Sequence, residues 1–392
     1  MKKKYNWLLT YCKTVKLLFK ISPPYLFFTV VLSLIVGIST PITIYIWKDV
    51  INSIESILKV GDVSIQDIDI LFKIIISYLV VKQANCLAMA LMQYVQNIYN
   101  DYINKDIAEL IFQKILSYRL EIFDDASIYN EIEKANSETA IRSLSILQIL
   151  VNSIQYIAAF IGTAIILLPY SQSVVIGCIV TSIPAFYVGY RIMNKLYEVY
   201  NRRFERNRFI NAIKKILTNS DFMKEIKIFS SGHYLLEKIE KTFKKNIVED
   251  KKIQKKITLE NAAVLCFDDI STILLKGIVI AIGIKNKVMI GTIMMNISAV
   301  DSVKNSLKNL LSVLSTACED CLYMQSFFNI YEQKDRVTEK PDFNEEIYSI
   351  EFIDVSFKYP KTEKNIIDRL NMKFVKGKNY AIVGENGSGK ST

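Results

Sequence analysis

The chain has 392 residues, a formal net charge of +10 at neutral pH and a hydrophobic content of 51%. Its mean hydropathy of +0.22 is high for a protein in which 22% of the residues are charged. Long uncharged runs alternate with strongly basic ones. This separation excludes a soluble enzyme and predicts a mainly α-helical, multi-pass protein of the cell membrane. It also places the basic residues beside anionic lipid, so we expect no nucleic-acid partner.

The first predicted elements are an interfacial helix and a membrane span. Lysines and apolar residues alternate over residues 4–20, which indicates an amphipathic helix on the inner leaflet that we assign to residues 1–20. Residues 21–47 carry no charge, and this run is longer than the roughly 20 residues that cross the hydrocarbon. We therefore predict a retained span over 24–47, kinked at Pro41, rather than a cleaved signal peptide.

A second uncharged run, residues 143–190, would extend over about 70 Å as one helix. Because the hydrocarbon core is roughly 30 Å thick, this run must fold back, and the turn is predicted at residues 168–173. It supplies the spans 149–168 and 174–190. Three weaker spans, which contain charged residues, bring the total to six: 70–92, 261–284 and 292–314.

The basic loops predict the orientation of these spans. The N-terminal lysines and the Arg- and Lys-rich stretch 191–257 indicate the cytoplasmic side, whereas the acidic loop near Asp62 and Asp67 indicates the outside. Lys285 and Lys287, in a short outer loop, are the one mild conflict. Both termini are therefore predicted to be cytoplasmic. The stretches 93–142 and 191–257 have helical character and are expected to continue the spans beyond the membrane.

The pattern changes near the C-terminus. Residues 333–346 are polar and predict a linker. Short apolar runs then predict strands over 347–357, 365–374 and 378–383, with a turn at 376–378. We therefore expect residues 21–332 to form the membrane domain and residues 347–392 to begin an α/β nucleotide-binding domain.

The last nine residues match the phosphate-binding pattern G-x-x-x-x-G-K-[ST]. In this pattern glycines turn backbone N–H groups toward phosphates, Lys390 reaches the β- and γ-phosphates, and Ser391 binds Mg²⁺. The sequence therefore predicts ATP and Mg²⁺ as ligands. The predicted contacts are Gly384, Glu385, Asn386, Gly387, Ser388, Gly389, Lys390, Ser391 and Thr392.

This arrangement resembles an ABC transporter of the exporter half-transporter type. The most specific similarity lies in residues 350–360, 365–370 and 381–392. The resemblance implies that Tyr359 stacks on adenine; without the phosphate-binding loop, Tyr359 would be read as an ordinary strand residue. It also implies coupling helices near 121–135 and 221–229, which transmit motion of the nucleotide domains.

The resemblance further implies ATP-driven export by two paired subunits, identical or related. The membrane half is most similar to bacterial peptide and bacteriocin exporters, with lipids or other amphipathic molecules as open alternatives. The family's remaining catalytic motifs do not follow Thr392, so we expect an incomplete chain and no ATP hydrolysis from it alone. A non-hydrolysing regulator of an intact partner, or a decayed reading frame, remains the alternative. Sequence beyond Thr392 would distinguish these hypotheses.

Charges within the predicted spans have two interpretations. Asp301, Lys304 and Lys308 share one face of the last span, and Lys82 lies within the second. Such charges either line a polar substrate pathway, or form internal ion pairs or lie on helix extensions outside the lipid. For the last span neither interpretation is favoured. For Asp268 and Asp269 the second is preferred.

The cysteines carry no predicted chemistry. Cys318 and Cys321 form a single C-x-x-C pair, whereas a zinc site normally needs a second pair and a redox site needs a βαβ context. We expect reduced thiols and no disulfides.

Overall fold

A computed structural model of the protein describes residues 7–60, 64–118, 126–332, 346–358, 365–385 and 388–390. These residues form eight helices and two strands. The helices are α1 (Trp7–Ile21), α2 (Pro23–Val60), α3 (Ile65–Leu116), α4 (Ala126–Leu167), α5 (Gln172–Thr218), α6 (Ser220–Ile228), α7 (Gly232–Lys285) and α8 (Ile290–Tyr331), and the strands are β1 (Ser349–Phe357) and β2 (Ile367–Val375).

Four helical segments within the described residues are long and apolar enough to cross a membrane. They are Pro23–Lys59, Ile65–Leu116, Thr139–Leu167 and Gln172–Ile192. The predicted turn at 168–173 is confirmed, because α4 ends at Leu167 and α5 begins at Gln172. Helices α7 and α8 contain the predicted fifth and sixth spans but are not among these four. The structure therefore supports a multi-pass helical protein, while the count of six remains a prediction.

The contacts divide the chain into two compact units. The first contains Met1–Ile103 with Arg142–Leu322, and the second contains Asn104–Ile141 with Tyr323–Thr392. In the first unit, buried residues of α4, α5, α7 and α8 form a continuous apolar cluster. Its members include Leu167, Cys178 and Leu275. These four helices thus share one core.

Helix α1 packs through a buried side that includes Leu17 and Leu18. The Tyr99 hydroxyl on α3 donates a hydrogen bond of 2.6 Å to the Leu18 carbonyl oxygen. This bond lies at the last turn of α1, where helical carbonyls lack partners within the helix. Tyr99 therefore fastens the end of α1 to α3. Residues 1–6 of the predicted interfacial helix lie outside the described residues.

The end of α2 meets the start of α8. The Ile290 backbone N–H donates to Glu55 Oε2 at 2.6 Å, which satisfies a free donor at the helix N-terminus. Gly291 permits this approach, since a Cβ there would lie 2.5 Å from the Lys48 carbonyl oxygen. On α5 and α7, Arg203 pairs with Asp250 at 2.5 Å.

In the second unit, the Tyr118 hydroxyl donates to the Ile330 carbonyl oxygen at 3.0 Å. β1 and β2 form an antiparallel pair, with Ser349 opposite Val375. The predicted turn after β2 is confirmed: Gly377 has a positive φ of 81°, and the Lys378 N–H donates to the Val375 carbonyl oxygen at 3.3 Å.

The predicted strand over residues 378–383 is wrong. The described residues there have no regular secondary structure, and Ile382 and Val383 are exposed. Apolar, β-branched composition favours a strand, but a strand also needs a neighbour that accepts and donates its backbone hydrogen bonds. Within the described residues no strand pairs with this segment.

Candidate functional site

The phosphate-binding loop is described at Gly384, Glu385 and residues 388–390. The Ser388 N–H donates to the Glu385 carbonyl oxygen at 3.2 Å. Lys390 Nζ donates to the carbonyl oxygens of Gly384 and, at 3.2 Å, of Glu385. The Lys390 ammonium group therefore lies against the backbone at the start of the loop.

Two glycines make this fold of the loop possible. Gly389 has a φ of +86°, a conformation that side chains disfavour, and a Cβ there would lie 2.8 Å from Ile366 Cγ2. At Gly384, a Cβ would lie 2.7 Å from the Ser388 hydroxyl oxygen. A Cβ at either position would displace a neighbouring side chain, Ser388 at position 384 and Ile366 at position 389.

This loop is the predicted site of a nucleoside triphosphate. Lys390 is held by two carbonyl oxygens, which phosphate oxygens can replace as stronger, charged acceptors. Bound Mg²⁺ would neutralise charge between the β- and γ-phosphates. The predicted magnesium ligand Ser391, the adenine-stacking Tyr359, and Asn386, Gly387 and Thr392 lie outside the described residues.

Sequence reasoning missed Tyr380 as a residue that positions the loop. Its hydroxyl oxygen accepts the Val375 N–H at 3.0 Å, and its ring contacts Phe374 edge-on at 5.0 Å. Tyr380 thereby holds the segment that leads into the loop against the end of β2. In the sequence Tyr380 is an aromatic residue four positions before Gly384, inside the predicted strand over 378–383.

The charges of the last predicted span separate into two environments. Lys304 is buried, with only 4% of its side chain exposed, and its ammonium contacts three oxygens: Asp268 Oδ1 at 2.6 Å, Ser271 Oγ at 2.7 Å and Thr181 Oγ1 at 3.0 Å. All three ammonium donors are used. This set, which we call the Lys304 cluster, joins α5, α7 and α8 and leaves no donor for a substrate.

The other charged candidates lie nearer the surface. Asp301 pairs with Lys276 at 2.7 Å, and both side chains are partly exposed. Lys308 is exposed and has no ion-pair or hydrogen-bond partner among the described residues. Lys82 is exposed, 5.7 Å from the Tyr78 ring centroid. The structure thus does not bring Lys82 together with the charges of α8.

The two predicted coupling regions are described unequally. Residues 121–125 lie outside the described residues, and helix α4 begins at Ala126. The second region corresponds to α6, a nine-residue helix capped by Asn219, whose side chain accepts the Asp221 N–H at 3.0 Å. Phe222 and Ile228 on this helix are exposed. A short helix with exposed apolar side chains suits docking onto another surface.

Comparison with known proteins finds relatives that align with nearly the whole chain. The chain is 26% identical over 386 residues to the subtilin transport ATP-binding protein SpaT of Bacillus subtilis, a match that covers 97% of this chain. It is 24% identical over 392 residues to the nisin transport ATP-binding protein NisT of Lactococcus lactis, with 98% of this chain covered. These similarities are consistent with an ABC exporter-type protein.

The chain is also similar to the ATP-dependent lipid A-core flippase of Salmonella typhimurium, with 22% identity over 240 residues, or 60% of this chain and 40% of the flippase. No protein-family model matches it. The chain spans 61% of the length of SpaT and 63% of that of NisT.

Proposed function

We propose that the protein is a subunit of an ATP-driven exporter that moves a peptide, or another amphipathic molecule, out of the cytoplasm. The observation that carries this proposal is the alignment of nearly the whole chain with two transport proteins named for the peptides subtilin and nisin. The described geometry of Lys390 and its loop supports a role for ATP as the energy source.

We propose that α7 and α8 supply the fifth and sixth spans. Their charges lower their hydropathy, yet Lys304 pairs with Asp268 at 2.6 Å and Lys276 with Asp301 at 2.7 Å. Charges that are paired with one another are compatible with membrane depth. The core that α7 and α8 share with α4 and α5 supports this proposal, because α4 and α5 are two of the apolar segments.

In the proposed cycle, two subunits enclose a passage and both termini lie in the cytoplasm. Lys390 and the loop amides hold the phosphates of ATP, and Ser391 holds Mg²⁺. Binding of ATP draws two nucleotide domains together. Helix α6 and the region near 121–135 transmit that motion to the membrane helices. Release after hydrolysis resets the cycle.

The test is uptake into inside-out membrane vesicles that contain the product of the natural gene. Labelled nisin and subtilin are the first probes. We expect uptake with ATP and Mg²⁺ but not with ADP, and loss of uptake in Lys390→Ala. The matched control is Lys378→Ala, which removes an exposed lysine just outside the loop. Uptake that survives Lys390→Ala would contradict the proposal.

A further inference from the structure

Four lysines of α7 lie on one exposed side of the helix, just before the segment that we assign to the fifth span. They are Lys251, Lys252, Lys255 and Lys256, which we call the lysine quartet. Spacings of three and four residues bring its members together on one side of the helix. None of the four has an ion-pair or hydrogen-bond partner among the described residues.

The acidic residues next to the quartet do not neutralise it. Asp250 pairs with Arg203 of α5, and Glu249 pairs with Arg206 of α5 at 2.9 Å. Glu260, on the membrane side of the quartet, forms no ion pair with it among the described residues. Positive charge therefore accumulates on the side of α7 away from the α5 pairs.

Contacts between α5 and α7 place the quartet just outside the membrane. The two helices run antiparallel: their ion pairs lie at one end of the contact, and further along a Cβ on Gly177 would lie 2.7 Å from Leu275 Cδ2. In this register Ile192, the last residue of the apolar segment of α5, lies level with residues 260–261 of α7. The quartet is therefore about 8–15 Å beyond that level, at 1.5 Å per residue.

Within the proposed span, the exposed side of α7 is apolar. Between residues 270 and 284 the exposed residues are all apolar or glycine: Ile270, Ile273, Leu274, Gly277, Ile278, Ile280, Ala281 and Ile284. Such a surface suits lipid tails, which offer no hydrogen bonds.

The quartet continues this apolar side toward the cytoplasm. An α-helix completes five turns in 18 residues, so Lys255 lies on the same side as Ile273. Lys252 and Lys256 likewise precede exposed apolar residues by 18 positions. The remaining member precedes Asp269, the one exposed charge in residues 257–284 of the described helix. One side of α7 therefore changes from lysine to apolar residues where the helix enters the bilayer.

The headgroup layer is within reach of the quartet. This layer adds roughly 5–8 Å to each side of the hydrocarbon core, and lysine side chains extend along a helix toward it. Lys241 and Lys245 are exposed on the same side of α7, but about three turns further from the membrane than Lys252 and Lys256. Position at the bilayer is what distinguishes the quartet, and it favours lipid as the partner.

We propose that the lysine quartet binds the phosphate groups of anionic phospholipids in the cytoplasmic leaflet and so fixes the depth at which α7 leaves the membrane. This inference rests on the proposal that α7 supplies the fifth span, and not on export activity. Each lysine near an anionic leaflet adds to the attraction, which decreases within a Debye length of the surface.

Quenching of tryptophan fluorescence by brominated phospholipids measures which lipid lies beside the quartet. Trp7 and Trp47 are changed to phenylalanine, and Leu259→Trp places a single reporter on the exposed side, one turn from Lys255 and Lys256. The full chain is reconstituted in phosphatidylcholine vesicles that contain increasing fractions of brominated phosphatidylglycerol. Brominated phosphatidylcholine is the neutral comparison, and the two quenching curves give the relative affinity of the lipids at position 259.

We expect phosphatidylglycerol to bind at position 259 about fivefold more tightly than phosphatidylcholine, and this preference to decrease below about twofold in Lys252→Gln/Lys256→Gln. The matched control Lys241→Gln/Lys245→Gln removes the same charge at the same spacing, beyond the headgroups, and should preserve the preference. Added sodium chloride should weaken it by screening. Inorganic phosphate at constant ionic strength should leave it unchanged, and a loss of preference there would overturn the proposal in favour of a soluble anion.

Equal affinities of the two lipids would overturn the proposal, as would a preference that both double variants reduce alike, because a soluble acidic partner would need no bilayer. Ile273→Trp reports on the span itself. Strong quenching at position 273 with none at position 259 would show that protein covers the quartet, and the inference would fail while the span stands. No quenching at either position would refute the fifth span. Loss of uptake with an intact lipid preference would refute the export function alone.

Discussion

Replacing Lys304 with methionine should strongly destabilise the membrane domain. The substitution removes a buried ammonium that contacts Asp268, Ser271 and Thr181. Removing one partner of a buried ion pair costs about 3–5 kcal/mol, because the other charge stays buried without compensation. Asp268 keeps 18% of its side chain exposed, so we expect a loss of about 3 kcal/mol in the free energy of unfolding, at the lower end of that range.

The double substitution Lys304→Met with Asp268→Leu should recover most of this loss, to within about 1 kcal/mol of the wild type, because no unpaired charge remains. The two hydroxyls keep their own bonds, since Ser271 donates to the Asp268 carbonyl oxygen and Thr181 to that of Gly177. The assay is reversible unfolding by SDS in mixed micelles. Lys308→Met is the matched control and should change the free energy of unfolding by less than about 0.5 kcal/mol. A single substitution as stable as this control, or a double variant no better than the sum of the singles, would refute the reasoning.

Three further predictions concern Tyr380 beside the phosphate-binding loop, the contact of Gly291 with α2, and the buried thiol of Cys321. Tyr380→Phe removes the hydrogen bond from the Val375 N–H at the end of β2 and should weaken ATP binding about fivefold in a nucleotide titration. An unchanged affinity would show that this hydrogen bond does not position the loop. Gly291→Ala places a methyl group against polar atoms of α2 and should lower the free energy of unfolding by about 1–3 kcal/mol. The control Gly277→Ala has open space around it and should not lower this free energy. Equal effects of the two substitutions would contradict the close contact at Gly291. Burial raises the pKa of the Cys321 thiol to about 12, so its reactive thiolate is scarce at pH 8. Iodoacetamide should therefore modify exposed Cys12 but leave Cys321 unmodified until SDS is added. Rapid modification of Cys321 in the native protein would show that this thiol is accessible.

Local signals predicted the parts of the fold that depend on neighbouring residues. The turn at 168–173 follows from an uncharged run too long for one span, broken by Pro169, and the structure ends α4 at Leu167. The turn at Gly377 follows from the need for a positive φ, which glycine meets without strain. The prediction that Lys390 binds phosphate likewise rests on the spacing of its motif. In each case a few adjacent residues contain the cause.

Features that depend on distant partners were not predictable. Periodicity placed Asp301, Lys304 and Lys308 on one face, but it did not show that helices α5 and α7 cover Lys304 and leave Lys308 exposed. Thr181, a partner of Lys304, lies 123 positions away in the chain. The strand at 378–383 failed for the same reason, since composition describes the segment but not the neighbour that would pair with it.

The most direct test of the account is photo-crosslinking of radiolabelled azido-ATP to the protein in sealed membrane vesicles of both orientations. We predict labelling in inside-out vesicles, competition by ATP, and loss of labelling in Lys390→Ala but not in Lys378→Ala. Right-side-out vesicles should stay unlabelled until they are opened. Labelling from the outside of intact vesicles, or labelling that does not depend on Lys390, would contradict a cytoplasmic nucleotide site carried by a membrane-embedded exporter.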